Sequence, residues 1–141
     1  MIIFNVLLLL NITSISAYNE AVIDITEMDI FELQEAIDNK FINYETLINL
    51  YLDRIEAYNS QYKAIINVNK NILEDAKKCD EEYSKNGRTT YLFCMPIIVK
   101  DNIDVVGMPT TVGTKSLSDS YPKEDAQIIK NLKAKGALII G

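Results

Sequence analysis

The sequence of 141 residues contains no histidine and no tryptophan. The missing histidine removes the commonest general base near neutral pH and the commonest ligand of transition metals. A Ser-His-Asp or Cys-His catalytic site therefore cannot be built from this chain alone. We expect no metal ion and no cofactor.

Positive charge is also scarce, and it is not clustered. The chain has 14 lysines and arginines against 20 aspartates and glutamates, which gives a formal net charge of −6. Without a basic patch the sequence predicts no surface that would attract nucleic acid or an anionic membrane. We therefore expect no nucleic-acid partner. The 48% apolar and 24% charged residues are typical of a globular chain, and the length allows one domain.

Charged side chains are absent from residues 1–16, where an apolar run covers Ile2–Ile12. This run has the length of the hydrophobic region of a signal peptide and is too short to span a bilayer comfortably. Small residues follow, among them Ser16 and Ala17, although a basic first region is missing. The pattern predicts a signal peptide at residues 1–17 and a product in the secretory pathway, extracellular or signal-anchored. A buried first helix is the alternative.

Cysteine occurs only twice, as Cys79 and Cys94. Two cysteines could form one bridge in an oxidising compartment, but they do not make a disulfide framework. We therefore expect each of them to pack separately as a small apolar residue, with the bridge as the alternative.

Three helices are predicted after the leader. Asp29 and Glu32 have the spacing of a capping box, Asn43 can cap the second helix, and Asn86-Gly87 is a typical helix stop. Apolar residues recur at intervals of three and four within the second helix. The predicted ranges are 30–38, 44–58 and 72–85.

The character of the sequence then changes to a strand, a loop, a helix and a second strand. A continuous apolar run is typical of a strand buried on both faces, and Pro96 interrupts the first one. Asp125 can cap the helix, and Gly136 can end it. Because a strand, a crossover helix and a strand imply parallel pairing, the predicted fold class is α/β, with N-terminal helices followed by the start of a mixed, largely parallel sheet covered by helices. The predicted ranges are strand 91–99, helix 126–135 and strand 137–140.

Lys100 directly follows the first apolar strand and is the candidate catalytic residue. Burial disfavours the ammonium form of lysine, and a neutral lysine can act as a general base. Ligands also tend to bind at the carboxyl ends of parallel strands. The alternative is that Lys100 only marks where the strand meets water. The neighbouring Asp101 and Asp104 fit either case.

Two segments around this lysine resemble the amidase signature family. They are Met95–Asp104, with the sequence MPIIVKDNID, and Gly107–Thr114, with the sequence GMPTTVGT. The resemblance continues through Asp125-Ala126 to residues 135–141 and covers about residues 26–141. It implies that residues 18–141 are the N-terminal part of an amidase domain that is incomplete here. The family usually has glycine where this chain has Cys94.

The resemblance implies a Ser–cis-Ser–Lys arrangement that hydrolyses carboxamide C–N bonds through an acyl-enzyme. Lys100 matches the catalytic lysine, which takes a proton from a bridging serine and needs no histidine. Both family serines belong to a Gly-Gly-Ser-Ser-Gly-Gly-type segment that would follow Gly141, so we expect these 141 residues to be inactive by themselves. The expected function is that of a secreted amidase, acting on a small-molecule, lipid or peptide amide. The sequence leaves open whether the protein forms a homodimer.

Two other functions remain open from the sequence. One is a non-catalytic remnant or binding module. The other is the A-type subunit of the amidotransferase that amidates mischarged transfer RNA, which belongs to the same family. The leader disfavours this second function, because that work is intracellular.

Overall fold

The computed structural model describes residues 23–141, so the predicted signal peptide at residues 1–17 lies outside the described residues. The described part has three α-helices followed by a strand, a loop, a helix and a second strand, as the sequence predicted. The α/β class is confirmed. In chain order the elements are α1 (Ile30–Asp38), α2 (Tyr44–Tyr62), α3 (Ile72–Asn86), β1 (Pro96–Ile97), a 3-10 turn (Lys115–Leu117), α4 (Gln127–Ala134) and β2 (Leu138–Ile139).

The first two helices begin with the caps that the sequence predicted. The Asp29 carboxylate accepts a hydrogen bond from the Glu32 N–H, and the Glu32 carboxylate accepts one from the Asp29 N–H, which completes the capping box. The Asn43 side chain accepts a hydrogen bond of 2.8 Å from the Thr46 N–H at the start of α2. α2 continues further than predicted, to Tyr62.

A core forms where α2 and α3 pack beside the sheet. Tyr44 at the start of α2 is buried, and its ring meets the rings of Tyr83 and Phe93 edge-on at centroid distances of 5.7 and 5.6 Å. Burial raises the pKa of the Tyr44 hydroxyl. The largest fully buried side chains are Tyr44, Leu47, Ile48, Met95 and Ile129.

β1 and β2 are parallel, with Pro96 opposite Leu138 and Ile97 opposite Ile139. Hydrogen bonds extend this ladder beyond both strands. The Cys94 N–H donates to the Gly136 carbonyl and the Val99 N–H to the Gly141 carbonyl, both at 2.8 Å. These bonds confirm the predicted parallel pairing.

The predicted strand over residues 91–99 is confirmed only at Pro96–Ile97, and the predicted burial on both faces is wrong. Residues 91–94 form a turn, in which the Met95 N–H donates to the Leu92 carbonyl. Cys94 has a φ of 57°, the left-handed conformation that bends the chain before β1 begins. At the other end Ile98 is 60% exposed. An apolar run alone did not distinguish a strand from a buried turn.

Cys79 and Cys94 form a disulfide, which corrects the expectation that each cysteine packs separately. Both residues are buried, and their Cα atoms are 6.1 Å apart, a separation that a disulfide spans. The bridge joins α3 to the turn that precedes β1. The sequence left this pairing open because the contact depends on how α3 packs.

α4 begins without the predicted cap from Asp125. Its N-cap is Ala126, and the Asp125 carboxylate instead accepts hydrogen bonds from the Val106 N–H at 2.8 Å and from the Lys133 ammonium at 2.8 and 2.9 Å. Gly136 follows the helix with a φ of 90°, which confirms it as the stop. Asp125 therefore joins the long loop to α4 rather than capping the helix.

Candidate active site

Lys100 lies where the chain leaves the ladder after β1. The Val99 N–H is the last ladder donor on this strand, and the Ile103 N–H then donates to the Lys100 carbonyl at 3.0 Å, which closes a turn. The side chain of Lys100 is exposed in the described residues. The desolvation that the sequence predicted at this position is therefore not present within residues 23–141, and the role of Lys100 as a base stays a prediction.

A cavity of about 600 Å³ opens beside Lys100. Its walls come from the segment between α2 and α3, from the end of β1 and from the loop that follows. Most of the lining is apolar, and Lys100, Asp101 and Asn102 supply its polar side chains together with Asn67. Apolar members of the lining include Ile65, Ile66, Ile98, Met108 and Val112. An apolar cavity with a few convergent polar groups is typical of a small-molecule site.

Asp101 turns away from solvent toward the loop. Its carboxylate accepts hydrogen bonds from the Thr111 N–H at 2.9 Å, from the Gly113 N–H at 3.0 Å and from the Thr111 hydroxyl. Its backbone carbonyl accepts a fourth bond from the Val112 N–H at 2.9 Å. Burial raises the pKa of Asp101, but the bonds from Thr111 and Gly113 outweigh it and hold the pKa below its ordinary value. The carboxylate is thus ionised near neutral pH.

A second acidic residue fixes the other end of the loop. Burial raises the pKa of Asp125 as well, but the Lys133 ammonium and the Val106 N–H hold it below its ordinary value. The Ala126 N–H also donates to the Asp104 carbonyl at 2.9 Å. The loop that carries the second half of the motif is therefore tied to α4 as well as to Asp101.

A further cavity of about 720 Å³ adjoins the first and shares Ile65 and Ile98 with it. α2 contributes Tyr51, Tyr58 and Tyr62 to its wall, and the guanidinium of Arg54 lies 5.2 Å from the centre of the Tyr58 ring. The sequence did not predict this cavity. The tyrosines recur along one helix face, but that spacing equally fits an ordinary core stripe.

No serine lines the Lys100 cavity within residues 23–141. Ser116, Ser118 and Ser120 lie in the exposed loop after Gly113, where Ser116 is hydrogen-bonded to the Thr114 hydroxyl at 3.1 Å. The described chain also holds no cluster of three or more Cys, Asp or Glu residues arranged to bind a metal ion. Lys100 is the single residue of the predicted catalytic set that this part of the chain supplies.

Between residues 23 and 141, no helix combines the length and the apolar character that crossing a membrane requires.

Comparison with known proteins gives a consistent family assignment. The family model described as Amidase matches residues 46–141. An A-type subunit of the glutamyl-tRNA(Gln) amidotransferase of Clostridium acetobutylicum is 34% identical over 119 residues, which are 84% of this chain and 25% of that protein. Indoleacetamide hydrolase of Bradyrhizobium diazoefficiens is 32% identical over 107 residues, or 75% of this chain and 20% of that protein. The chain thus spans about a quarter of the length of these curated relatives or less.

Solved structures agree with this assignment. The peptide amidase of Stenotrophomonas maltophilia superposes with a TM-score of 0.78 at 29% identity, over 83% of this chain and 24% of that one. An amidase family protein of Bacillus anthracis has a TM-score of 0.79 at 33% identity, over 93% of this chain and 26% of that one. The described fold matches part of each structure.

Proposed function

Because the chain belongs to the amidase signature family, we propose that it is the N-terminal part of a secreted enzyme that hydrolyses carboxamide C–N bonds. The observation that carries the proposal is the position of Lys100, which follows a parallel strand by three residues and lines an apolar cavity inside the family motif. Apolar walls would favour the neutral amine of a lysine from which water is excluded, whereas Lys100 is exposed within residues 23–141.

The proposed chemistry is serine acyl transfer. Neutral Lys100 takes a proton from a bridging serine, and that serine takes the proton of the nucleophilic serine as its oxygen attacks the amide carbon. As the C–N bond breaks, the Lys100 ammonium returns the proton through the bridging serine to the nitrogen, which leaves as ammonia or an amine, and water then hydrolyses the acyl-serine. Both serines would come from a segment beyond residues 23–141 that closes over the cavity and excludes water from Lys100.

The names of the similar proteins support an amide substrate. One relative is an indoleacetamide hydrolase, and one structural neighbour is a peptide amidase. The apolar lining of the Lys100 cavity suits a substrate with an apolar group next to the carboxamide. Small-molecule, lipid and peptide amides all belong to this class.

Secretion is supported by the Cys79–Cys94 disulfide, because disulfides persist in oxidising compartments and are rare in the cytosol. The uncharged segment 1–16 supports it independently. A tagged product should be found in the secretory route and should resist alkylation of both cysteines until it is reduced. A cytosolic product with two free thiols would contradict secretion and leave the amidase proposal standing.

The decisive experiment compares Lys100→Ala with the unchanged sequence in the longest product of the coding region. Release of ammonia or amine from a panel of aryl, acyl and peptide amides is measured. Loss of the base should lower kcat about 10²- to 10⁴-fold. Lys115→Ala, a change of an exposed lysine in the same loop, should leave the rate unchanged. Equal hydrolysis by the Lys100 variant would refute the role of Lys100, and a product without any hydrolysis would favour a non-catalytic remnant.

A second candidate is supported by the curated relatives, several of which are A-type subunits of amidotransferases. In that case the complete protein would act with partner subunits on Glu-tRNA(Gln) rather than on a free amide. The two functions are separated by supplying misacylated transfer RNA to the purified product. Amidation of the transfer RNA would support the amidotransferase, and hydrolysis of amides without transfer RNA would support the secreted amidase.

A further inference from the structure

The Asp101 carboxylate is hydrogen-bonded to the turn at residues 111–113. Both carboxylate oxygens accept from this turn, Oδ1 from the Thr111 N–H and Oδ2 from the Gly113 N–H and the Thr111 hydroxyl. Thr111 itself is 6% exposed, so its hydroxyl has little access to water. A carboxylate held by several N–H and O–H donors is stabilised in its charged form.

The turn has a conformation that needs such support. Val112 has a φ of 52°, which is unfavourable for a β-branched residue, and Gly113 follows with a φ of 67°. This conformation directs three successive N–H groups at Asp101, two at its carboxylate and that of Val112 at its carbonyl. The hydrogen bonds that Asp101 accepts from the turn therefore offset the strain at Val112.

The same turn forms a wall of the Lys100 cavity. Val112 and Gly113 line the cavity together with Lys100, and Asp101 is joined to Lys100 by one peptide bond. Lys100 takes part in none of the ion pairs within residues 23–141. The nearest carboxylate in the sequence is thus directed at the loop instead of at the lysine.

We propose that Asp101 is a positioning residue. It fixes the turn at residues 111–113 in the wall of the Lys100 cavity, and it keeps its own carboxylate out of an ion pair with the lysine. The inference rests on the proposed function in one respect, the role of Lys100 as the base. A carboxylate paired with that lysine would favour the ammonium form and oppose proton transfer to it. Binding the carboxylate in the turn avoids this and shapes the cavity at the same time.

The first test measures amide hydrogen exchange by NMR in the 141-residue chain. Asp101→Asn removes the charge and one acceptor oxygen, so exchange at Thr111 and Gly113 should accelerate about tenfold or more, while amides within α3 stay unchanged. Asp104→Asn is the matched control, because Asp104 is an exposed acid three residues further on whose carboxylate bonds to no described residue. Unchanged exchange in Asp101→Asn would overturn the proposal.

The second test follows the reactivity of the Lys100 amine toward acetic anhydride, with Lys77 on α3 as an internal reference. Thr111→Val removes one of the two donors to the Asp101 Oδ2 and keeps the charge, so the carboxylate is held less firmly beside Lys100 and labelling of Lys100 should fall about twofold. Thr111→Ser keeps the hydroxyl and should restore the original rate. Asp101→Asn loosens the turn without leaving a charge and should not slow labelling.

Equal slowing in Thr111→Val and Asp101→Asn would contradict the proposal, because a free carboxylate could not then be the cause. Slowing at both Lys100 and Lys77 would indicate a general loss of structure and would also contradict it. None of these readouts requires catalysis. A failure of the amidase proposal, seen as unchanged hydrolysis in Lys100→Ala, is therefore distinguishable from a failure of this one.

Discussion

At the scale of single residues, two positions shortly before the strands depend on unusual backbone geometry. Gly136 has a φ of 90°, and a Cβ atom placed there would lie 2.9 Å from the Cα of Phe93. Its carbonyl accepts the hydrogen bond of Cys94, which has a φ of 57° itself. The left-handed conformation at Cys94 is one that glycine adopts more readily than a residue with a side chain. In this chain the disulfide to Cys79 holds a side chain in that conformation.

Gly136→Ala should therefore destabilise the chain by about 2–4 kcal/mol, because the new methyl group meets backbone atoms and the φ is unfavourable for alanine. Gly87→Ala is the matched control. Gly87 also has a positive φ, 67°, but nothing lies within 4 Å of its Cβ position. We expect a smaller loss there, about 1–2 kcal/mol, because only the backbone strain remains. Urea unfolding followed by circular dichroism measures both, and equal losses would show that the close approach of Phe93 is unimportant.

At the scale of elements, α3 supplies a second cap for α2. The Asp80 carboxylate accepts hydrogen bonds from the Tyr44 N–H at 2.8 Å and from the Glu45 N–H at 3.0 Å. These N–H groups belong to the first turn of α2 and have no partner within that helix. A negative charge at this end also interacts favourably with the helix dipole. The packing of α3 against α2 is thus fixed by a polar contact beside the apolar core.

Asp80→Ala should lower the free energy of unfolding by about 1–2 kcal/mol, which is typical for the loss of a capping carboxylate. Glu81→Ala is the control, since the neighbouring Glu81 is exposed and caps nothing in the described chain. Thermal unfolding measured by circular dichroism separates the two variants. A similar loss of stability in both variants would mean that the stability depends on the negative charge of α3 and not on the cap.

How far sequence predicts these elements depends on the range of the interactions that form them. The capping box at Asp29 and the cap at Asn43 are local, and both were predicted correctly. The cap from Asp80, the disulfide of Cys94 and the bonds of Asp125 join residues that are distant in sequence, and all three were missed or misassigned. At the site, the motif identified Lys100, but the role of Asp101 in the turn depends on tertiary contacts and was not predicted.

At the scale of the whole molecule, one face of the described chain is apolar and open. The carbonyls of Met95 and Ile97 accept hydrogen bonds from β2 and the residue after it, and the Val99 N–H donates to the Gly141 carbonyl. Because the backbone polar groups of successive residues in a strand point to opposite sides, the N–H and carbonyl of Ile98 face away from β2. Ile98 is 60% exposed and borders both cavities. Such an edge favours pairing with another chain when nothing covers it.

Ile98→Lys should accordingly reduce self-association of the 141-residue chain, by about tenfold in the association constant, because a charge on an edge strand opposes pairing. Ile128→Lys is the matched control. Ile128 is 55% exposed on α4, away from the edge, and the substitution changes the net charge equally. Light scattering over a range of protein concentrations measures the association. Equal effects of the two variants would attribute association to net charge, whereas an effect confined to Ile98 would locate it at the sheet edge beside the Lys100 cavity.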